Sequence, residues 1–295
     1  MITTTFTDFD EFRATNPEID GAWLINGGSG SGWRTDSVDA GDCHILRCYS
    51  NTGLIIEGSA SNDGYCFYVP FKSGVWRNNG TGFDDDELLV FEPGSEHYVT
   101  SKRDDGWHLF YVPRHMVEAP AHEPRRRSYT LRDPRARAVR DRVGSVLATA
   151  ATNPAIESTA AMQTVEAELL SLVLPLLEQG RDGDAGSVDR RERDDLTTTE
   201  IVHQARAALD CWDDINAMTP SLLARHVGVS ERRLRYAFNE HYQIGPRSYL
   251  ILRQLHKVRR NLLASRPDET TVTDTLTASG VWHFGRFASR YRSLF

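Results

Sequence analysis

Residues 219–238 read TPSLLARHVGVSERRLRYAF, and their spacing predicts two short amphipathic helices joined by a tight turn. Thr219 is placed to cap the first helix and Pro220 to open it, where a missing N–H costs nothing. Leu222, Leu223, Ala224 and Val227 supply an apolar stripe, and Gly228 breaks the helix. Ser230 caps the second helix, on which Leu234, Ala237 and Phe238 fall on one side. At about 100° per residue, Arg232, Arg235, Tyr236 and Asn239 point the other way. A helix packed by one face and showing Arg, Arg, Tyr and Asn on the other has the form that enters a major groove. Taken alone, the stretch also fits an ordinary helical hairpin with a solvated basic face.

A second copy strengthens the first reading. Residues 271–295, TVTDTLTASGVWHFGRFASRYRSLF, repeat the plan: a helix broken at Gly280, then an aromatic-studded helix. Phe284, Phe287 and Tyr291 are expected to face inward, with Gly285, Arg286, Ser289 and Arg292 outward. Between the copies, RSYLILRQLHKVRRNLLA (247–264) reads as one long helix after Gly245-Pro246. Two such units on a rigid spacer can address successive major-groove windows, about 34 Å apart on one face of DNA.

GVSERRLRYAFNEHYQIGPRSYL, LHKVRRNLL and the closing FASRYRSLF resemble the AraC/XylS family of transcription regulators over roughly the last hundred residues. RRLRYAF, KVRRNLL and GVWHFGRFASRYRSLF look most like the subgroup of the ethanolamine-utilisation regulator. The resemblance implies double-stranded DNA as a partner, with contacts from Arg232, Arg235, Tyr236, Asn239, Ser230, Gly285, Arg286 and Ser289. It also implies a homodimer, an engagement with RNA polymerase, and a small-molecule effector, with a small amine or catabolic substrate as the guess. Tyr236 and Ser289 stand where many members carry Arg, so base preference does not carry over. Members usually continue past the position of Phe295 with a Gly, a Pro and a closing helix, so the last helix is expected to be less supported.

Charge divides the same way. The whole chain carries 34 Lys+Arg against 41 Asp+Glu, and residues 196–295 carry 14 against 9, leaving 20 against 32 for the rest. A +5 segment on a −12 body fits a DNA-binding unit attached to one that does not touch DNA. Cys43, Cys48, Cys66 and Cys211 form no CxxC pair; they fit a reducing cytoplasm better than a disulfide framework. The opening MITTTFTDFDEF has neither a basic start nor an apolar run, so no leader is expected. No stretch reads as a membrane span of roughly 20 apolar residues.

Towards the N-terminus, FTDFDEFRATNP reads as a short helix with Phe6, Phe9 and Phe12 at threefold spacing. From Ala22 to Pro113, short apolar runs are cut by Gly, Asn, Asp and Ser. Expected strands are 22–25, 42–49, 54–59, 64–70, 74–77, 87–91, 96–100 and 107–112, the signature of an all-β sandwich or barrel. FYVPFKSGVWRNNG and LLVFEPGSEHYV look like the cupin-like effector barrel found at the N-terminus of many AraC-type regulators. A metal-dependent cupin enzyme with a helical appendage is the alternative function. It needs converging histidines and a carboxylate, yet no HxH…E precedes His97, and His44, Glu57 and His108 are scattered. No catalytic residue, metal or cofactor is therefore expected. A pocket for a small molecule suits the barrel better, with Arg47, Glu57, His97 and Trp107 as its candidate contacts. The acidic run 84–87 reads as a solvated loop.

Beyond the barrel, Arg125-Arg126-Arg127 reads as a solvated connector. Asp133 and Pro134 open a helix with Val139, Val143, Val146 and Leu147 on one stripe. A second helix covers 155–179, with Met162, Val165, Leu169, Leu172, Val173 and Leu176 at heptad-like spacing. That stripe serves a dimer seam or packs on the barrel or the preceding helix, and the family resemblance favours the seam. The expected architecture is α+β and multidomain: a cupin-like barrel (1–113), a helical connector (114–180), a linker (181–195) and an all-α double helix-turn-helix (196–295). A second rival, an interaction protein whose basic helices dock a protein partner, predicts no DNA binding even at low salt.

Overall fold

The computed structural model describes the chain apart from residues 29–31, 72–75, 83–86, 118–127, 154–155, 157, 183–195, 213–216, 267 and 269. Residues 84–86 of the acidic run, the Arg125–Arg127 connector and nearly all of the 181–195 linker lie outside the described residues. The chain divides into two compact units. One comprises Met1–Trp23, Ser31–Asn78 and Gly82–Arg193, and the other comprises Leu24–Gly30, Asn79–Thr81 and Asp194–Phe295.

The first unit is built on antiparallel strands. In chain order the elements up to residue 132 run β1 (Ile2–Phe6), α1 (Phe9–Ala14), β2 (Ile19–Ile25), β3 (Trp33–Ala40), β4 (Cys43–Ser50), β5 (Leu54–Ala60) and β6 (Gly64–Pro70). They continue with β7 (Arg77–Asn78), β8 (Thr81–Gly82), β9 (Glu87–Phe91), β10 (Glu96–Ser101), β11 (Asp105–Pro113) and β12 (Tyr129–Arg132). A seven-stranded sheet has the order β1-β3-β4-β11-β6-β9-β12, and a five-stranded sheet has the order β2-β5-β10-β7-β8. The expected all-β class is correct, but β1, β3, β8 and β12 had no place in the sequence reading. In β3, WRTDSVDA, the buried positions include the polar Thr35 and Asp36, so its apolar content is too low to stand out. Phe6 ends β1 rather than extending a helix, and α1 begins at Phe9 behind the Asp8 cap, whose carboxylate accepts from Asp10 N at 2.7 Å.

Alternation along the large sheet sends two different sets of side chains to its two faces. One face is aromatic: Phe12 of α1 lies 6.2 Å from Trp33 and 6.1 Å from Trp107, and Trp107 lies 5.0 Å from Trp76. The other face carries Val38, Ile45, Phe67, Val90, Phe110 and Val112. It is covered by two helices, α2 (Pro134–Thr152) and α3 (Thr159–Asp182).

The dimer-seam expectation for α3 fails here. Met162, Val165, Leu169, Val173 and Leu176 are buried in this intramolecular core together with Val139, Val143, Val146 and Leu147 of α2, and Leu172 packs partly buried against it. The heptad-like spacing arose because a helix lying on a sheet and a second helix needs the same stripe as a coiled-coil seam. These helices are thus a layer of the first unit rather than a connector. The membrane reading also needs correction: Thr159–Glu178 is long and apolar enough by length and composition to cross a bilayer. Its apolar positions are spent in the protein core instead.

The second unit is helical: α4 (Thr198–Asp210), α5 (Pro220–Val227), α6 (Glu231–Tyr242), α7 (Pro246–Ala264), α8 (Val272–Ala278) and α9 (Phe284–Leu294). Helix α4 was missing from the sequence reading, although TTTEIVHQARAALD carries its signals. Thr197 and Glu200 form a capping box, and Ile201, Val202, Ala205, Ala208 and Leu209 make its buried stripe.

Candidate nucleic-acid interface

The turn between α5 and α6 is set by Gly228. Its φ of 76° is left-handed, a conformation that glycine adopts without a steric penalty. Gly228 N donates to Arg225 O at 3.2 Å and Val229 N to Ala224 O at 2.9 Å, closing the end of α5. Thr219 caps α5 by accepting from Leu222 N, and Ser230 caps α6 by accepting from Arg233 N. The second copy repeats these bonds. Gly280 has φ 70°; its N–H donates to Thr277 O at 2.8 Å, and Val281 N donates to Leu276 O at 2.9 Å. Thr271 caps α8 in a capping box with Asp274, whose carboxyl is held below its usual range mainly by the Thr271 hydroxyl.

Packing behind α6 uses Leu234, Ala237 and Phe238, all buried. Phe238 meets Tyr249 of α7 at 5.2 Å, and Tyr242 stacks on Tyr249 at 4.9 Å and 11°. That face being committed, Arg232, Arg235, Tyr236 and Asn239 are exposed, Tyr236 to 62%. Ser230 is exposed as well, with its hydroxyl engaged in the cap. On α9, Phe287 and Leu294 are buried while Gly285, Arg286, Ser289 and Arg292 are exposed. A side chain built at Gly285 would meet nothing within 4 Å, so the position is open. Phe284 does not face inward as expected: it is 38% exposed, because it opens the helix ahead of the packed turn.

A groove of about 1020 Å³ joins the two copies within this unit. Arg235 and Asn239 of α6, Arg247 and Gln254 of α7, and Arg286 and Arg290 of α9 all line it. Trp282, 73% exposed, and His283 stand at its edge in the second turn. Glu231 is the groove's carboxylate and accepts a hydrogen bond from Ser221 Oγ of α5. Arg247, Trp282, His283 and Arg290 line the groove but were not among the residues expected from the sequence. Their signal is the convergence of three helices, which no single helical wheel displays.

The bridging helix divides its cations. Arg253 donates to Asp210 of α4 at 2.6 Å with its side chain only 17% exposed. Its charge therefore fastens α7 to α4. Arg259 lies 4.9 Å from the ring centroid of Phe295, leaving Arg260 the more exposed of the pair.

The four candidate effector contacts are not brought together. Trp107 lies on the aromatic face of the large sheet, and its indole Nε1 is buried without a hydrogen-bond partner among the described residues. His97, on β10 of the smaller sheet, is fully buried with its ring 4.7 Å from Phe91. Glu57 is also fully buried, but it pairs with Tyr98, so it faces the side of that sheet opposite His97. Arg47 lies on the helix-covered face of the large sheet, where it lines a separate opening. Among the described residues, no group of three His, Cys, Asp or Glu side chains is placed to hold a metal ion. Cys43, Cys48 and Cys66 are buried and Cys211 is exposed. Burial, followed by the Glu166 charge, pushes the Cys43 thiol up to about 12.

Residues 223–295 match a family model described as a helix-turn-helix domain. Over 78 residues the chain is 35% identical to the "Probable thc operon regulatory protein" of Rhodococcus erythropolis. That match covers 26% of this chain and 24% of the relative, so the chain spans about a quarter of the length of the curated protein it matches. Among solved structures, the AraC-like transcriptional activator CuxR aligns over 87% of this chain and 94% of its own, with 14% identity and a TM-score of 0.43. ToxT of Vibrio cholerae with bound unsaturated fatty acid aligns over 94% and 93%, with 10% identity and a TM-score of 0.31. Likeness at those levels decides neither ligand nor activity. The C-terminal quarter of the chain matches a helix-turn-helix domain, and over 78 residues the chain is similar to an operon regulatory protein.

Proposed function

We propose that this chain is a ligand-responsive, DNA-binding transcription regulator of the AraC/XylS type. The observation that carries the reading is the duplicated turn: two left-handed glycines, closed by matching hydrogen bonds, present exposed polar faces to one groove. Arg232, Arg235 and Arg286 are suited to guanine edges or phosphates, and Asn239 to adenine. Tyr236, Ser230 and Ser289 add hydroxyls, while open Gly285 permits close backbone approach. Arg247 and Arg290 extend the basic lining from α7 and α9. The comparisons lead to transcription regulators rather than enzymes, which weighs against the metal-dependent cupin alternative.

An effector would act by binding one arrangement of the protein better than another, since equal binding shifts nothing. A homodimer, an engagement with RNA polymerase and a cytoplasmic setting follow from the same reading. The dimer surface must lie away from the buried stripe of α3. The small-amine effector suggested by the ethanolamine-regulator resemblance rests on the helical unit alone, which supplies no effector chemistry.

The test is binding of the whole protein to its own upstream intergenic DNA, titrated against salt and competitor. The expected result is a discrete site, weakened by Arg235→Ala or Arg286→Ala and unchanged by Arg13→Ala. Absence of DNA binding even at low salt would favour the protein-docking reading.

A further inference from the structure

The face of the large sheet that packs on α2 and α3 is apolar along β3, β4 and β11 until one cross-strand row. There Asp36 stands opposite Arg47, and Arg47 stands opposite His108. The next row places Arg34 opposite Tyr49. Together with Phe71 these side chains line an opening of about 460 Å³, a volume suited to a small molecule. Its two walls differ in chemistry.

The polar wall is built around Asp36, which is buried. Its carboxylate accepts from Arg34 Nε and Nη2 at 3.0 and 2.8 Å and from Thr3 Oγ1 at 2.8 Å, with Arg47 Nη1 at 3.7 Å. Among the residues lining the opening, two guanidinium groups on one carboxylate leave one positive charge in excess. Arg47 Nε donates to His108 Nε2 at 3.3 Å, which puts the His108 proton on Nδ1. That Nδ1 is buried and has no partner among the described residues. Burial, then the charges of Arg47 and Arg140, lowers the His108 pKa to about 3 and keeps the ring neutral. The apolar wall consists of Phe71, whose ring is 6.0 Å from Tyr49 and 4.8 Å from the His108 ring.

We propose that this opening is the effector site and that it binds a small organic monocarboxylate with an apolar body. The carboxylate takes the free donors of Arg34 and Arg47 in charge-assisted bonds, and the body lies on Phe71 and Tyr49. Asp36 limits the ligand to one negative charge, since a second would face its carboxylate. A cationic amine would meet the excess guanidinium charge. The site stands on its own geometry, and only its regulatory role rests on the reading of the chain as a ligand-responsive regulator.

The experiment is calorimetric titration of the whole protein with 3-phenylpropionate and hexanoate, alongside 3-phenylpropylamine and inorganic phosphate. Saturable binding of the carboxylates alone is expected, weakened about tenfold or more by Arg34→Gln or Arg47→Gln and also by Phe71→Ala. Arg34 is the more exposed arginine, 53% against 30%. Because it pairs with buried Asp36, melting curves first establish that Arg34→Gln is folded at the titration temperature. Phe71→Ala, which leaves the Asp36 pairs intact, reads the site independently. No saturable carboxylate binding, equal binding of the amine, or undiminished binding to a folded Arg34→Gln protein would overturn the site. DNA affinity measured with and without the carboxylate separates the two claims. Binding that leaves DNA affinity unchanged overturns the regulatory role, whereas DNA binding without carboxylate binding overturns the site and leaves the regulator standing.

Discussion

Arg235 and Arg253 differ in what faces them. The first is exposed on α6 beside Asn239, and the second is closed onto Asp210. Replacing Arg235 with Ala is expected to cost about 1–3 kcal/mol of specific DNA binding if it reads a base, with thermal stability unchanged. Arg253→Ala is expected to lower stability by about 1 kcal/mol or less, because Asp210 is partly solvated. Its effect on the salt dependence of DNA binding should be small. Paired melting curves and salt titrations check both outcomes. Two histidines add a pH prediction. His108 and His256 are buried and both lowered to about 3 from an ordinary 6.5. Each therefore stays neutral in the fold while the unfolded chain takes up a proton. Stability should be fully present above about pH 6.5 and should fall as pH drops through the interval below it, by up to ~1.4 kcal/mol per pH unit for each histidine. Urea midpoints between pH 7 and 5.5 test this, and His108→Gln should flatten part of the slope.

Elements explain which sequence patterns held and which misled. Gly228 has nothing within 4 Å of a built side chain, so Gly228→Ala should cost only the left-handed backbone penalty, about 1–2 kcal/mol. Chemical denaturation would measure it, and a loss near zero would mean the turn tolerates another conformation. For α3 the buried stripe predicts that Leu169→Ala destabilises the first unit by about 2–5 kcal/mol. A seam residue would instead alter self-association at unchanged fold, so denaturation and sedimentation read together decide between them. The caps at Thr219, Ser230 and Asp133 were legible because capping chemistry is local. The role of α3 was not, because its periodicity states that one face is buried without stating against what. Strand β3 escaped for another reason: its Asp36 and Thr35 are buried polar residues, which read as loop in a sequence.

At the scale of the whole molecule, a DNA-binding protein with a basic C-terminal segment should lose affinity steeply with salt. The slope should fall by about one for each phosphate-contacting arginine removed. Arg232→Ala, Arg247→Ala and Arg290→Ala, compared at several salt concentrations, separate backbone-positioning contacts from base-reading ones. A slope unmoved by all three would place the interface elsewhere.

By itself, the sequence determined the fold class of both units, the two helix-turn-helix copies and the residues on the exposed face of α6. Those properties follow from periodicity, caps and glycines within about ten to twenty residues of one another. Only the tertiary structure decided the rest: that α3 is core, that Arg253 belongs to Asp210, and that Arg47 parts company with Glu57, His97 and Trp107. It alone assembled Arg34, Asp36, Arg47, Tyr49, Phe71 and His108 from three strands and a loop. The physical reason is strand pairing, whose register sets which distant residues share a face and leaves no mark in the local pattern of any one strand.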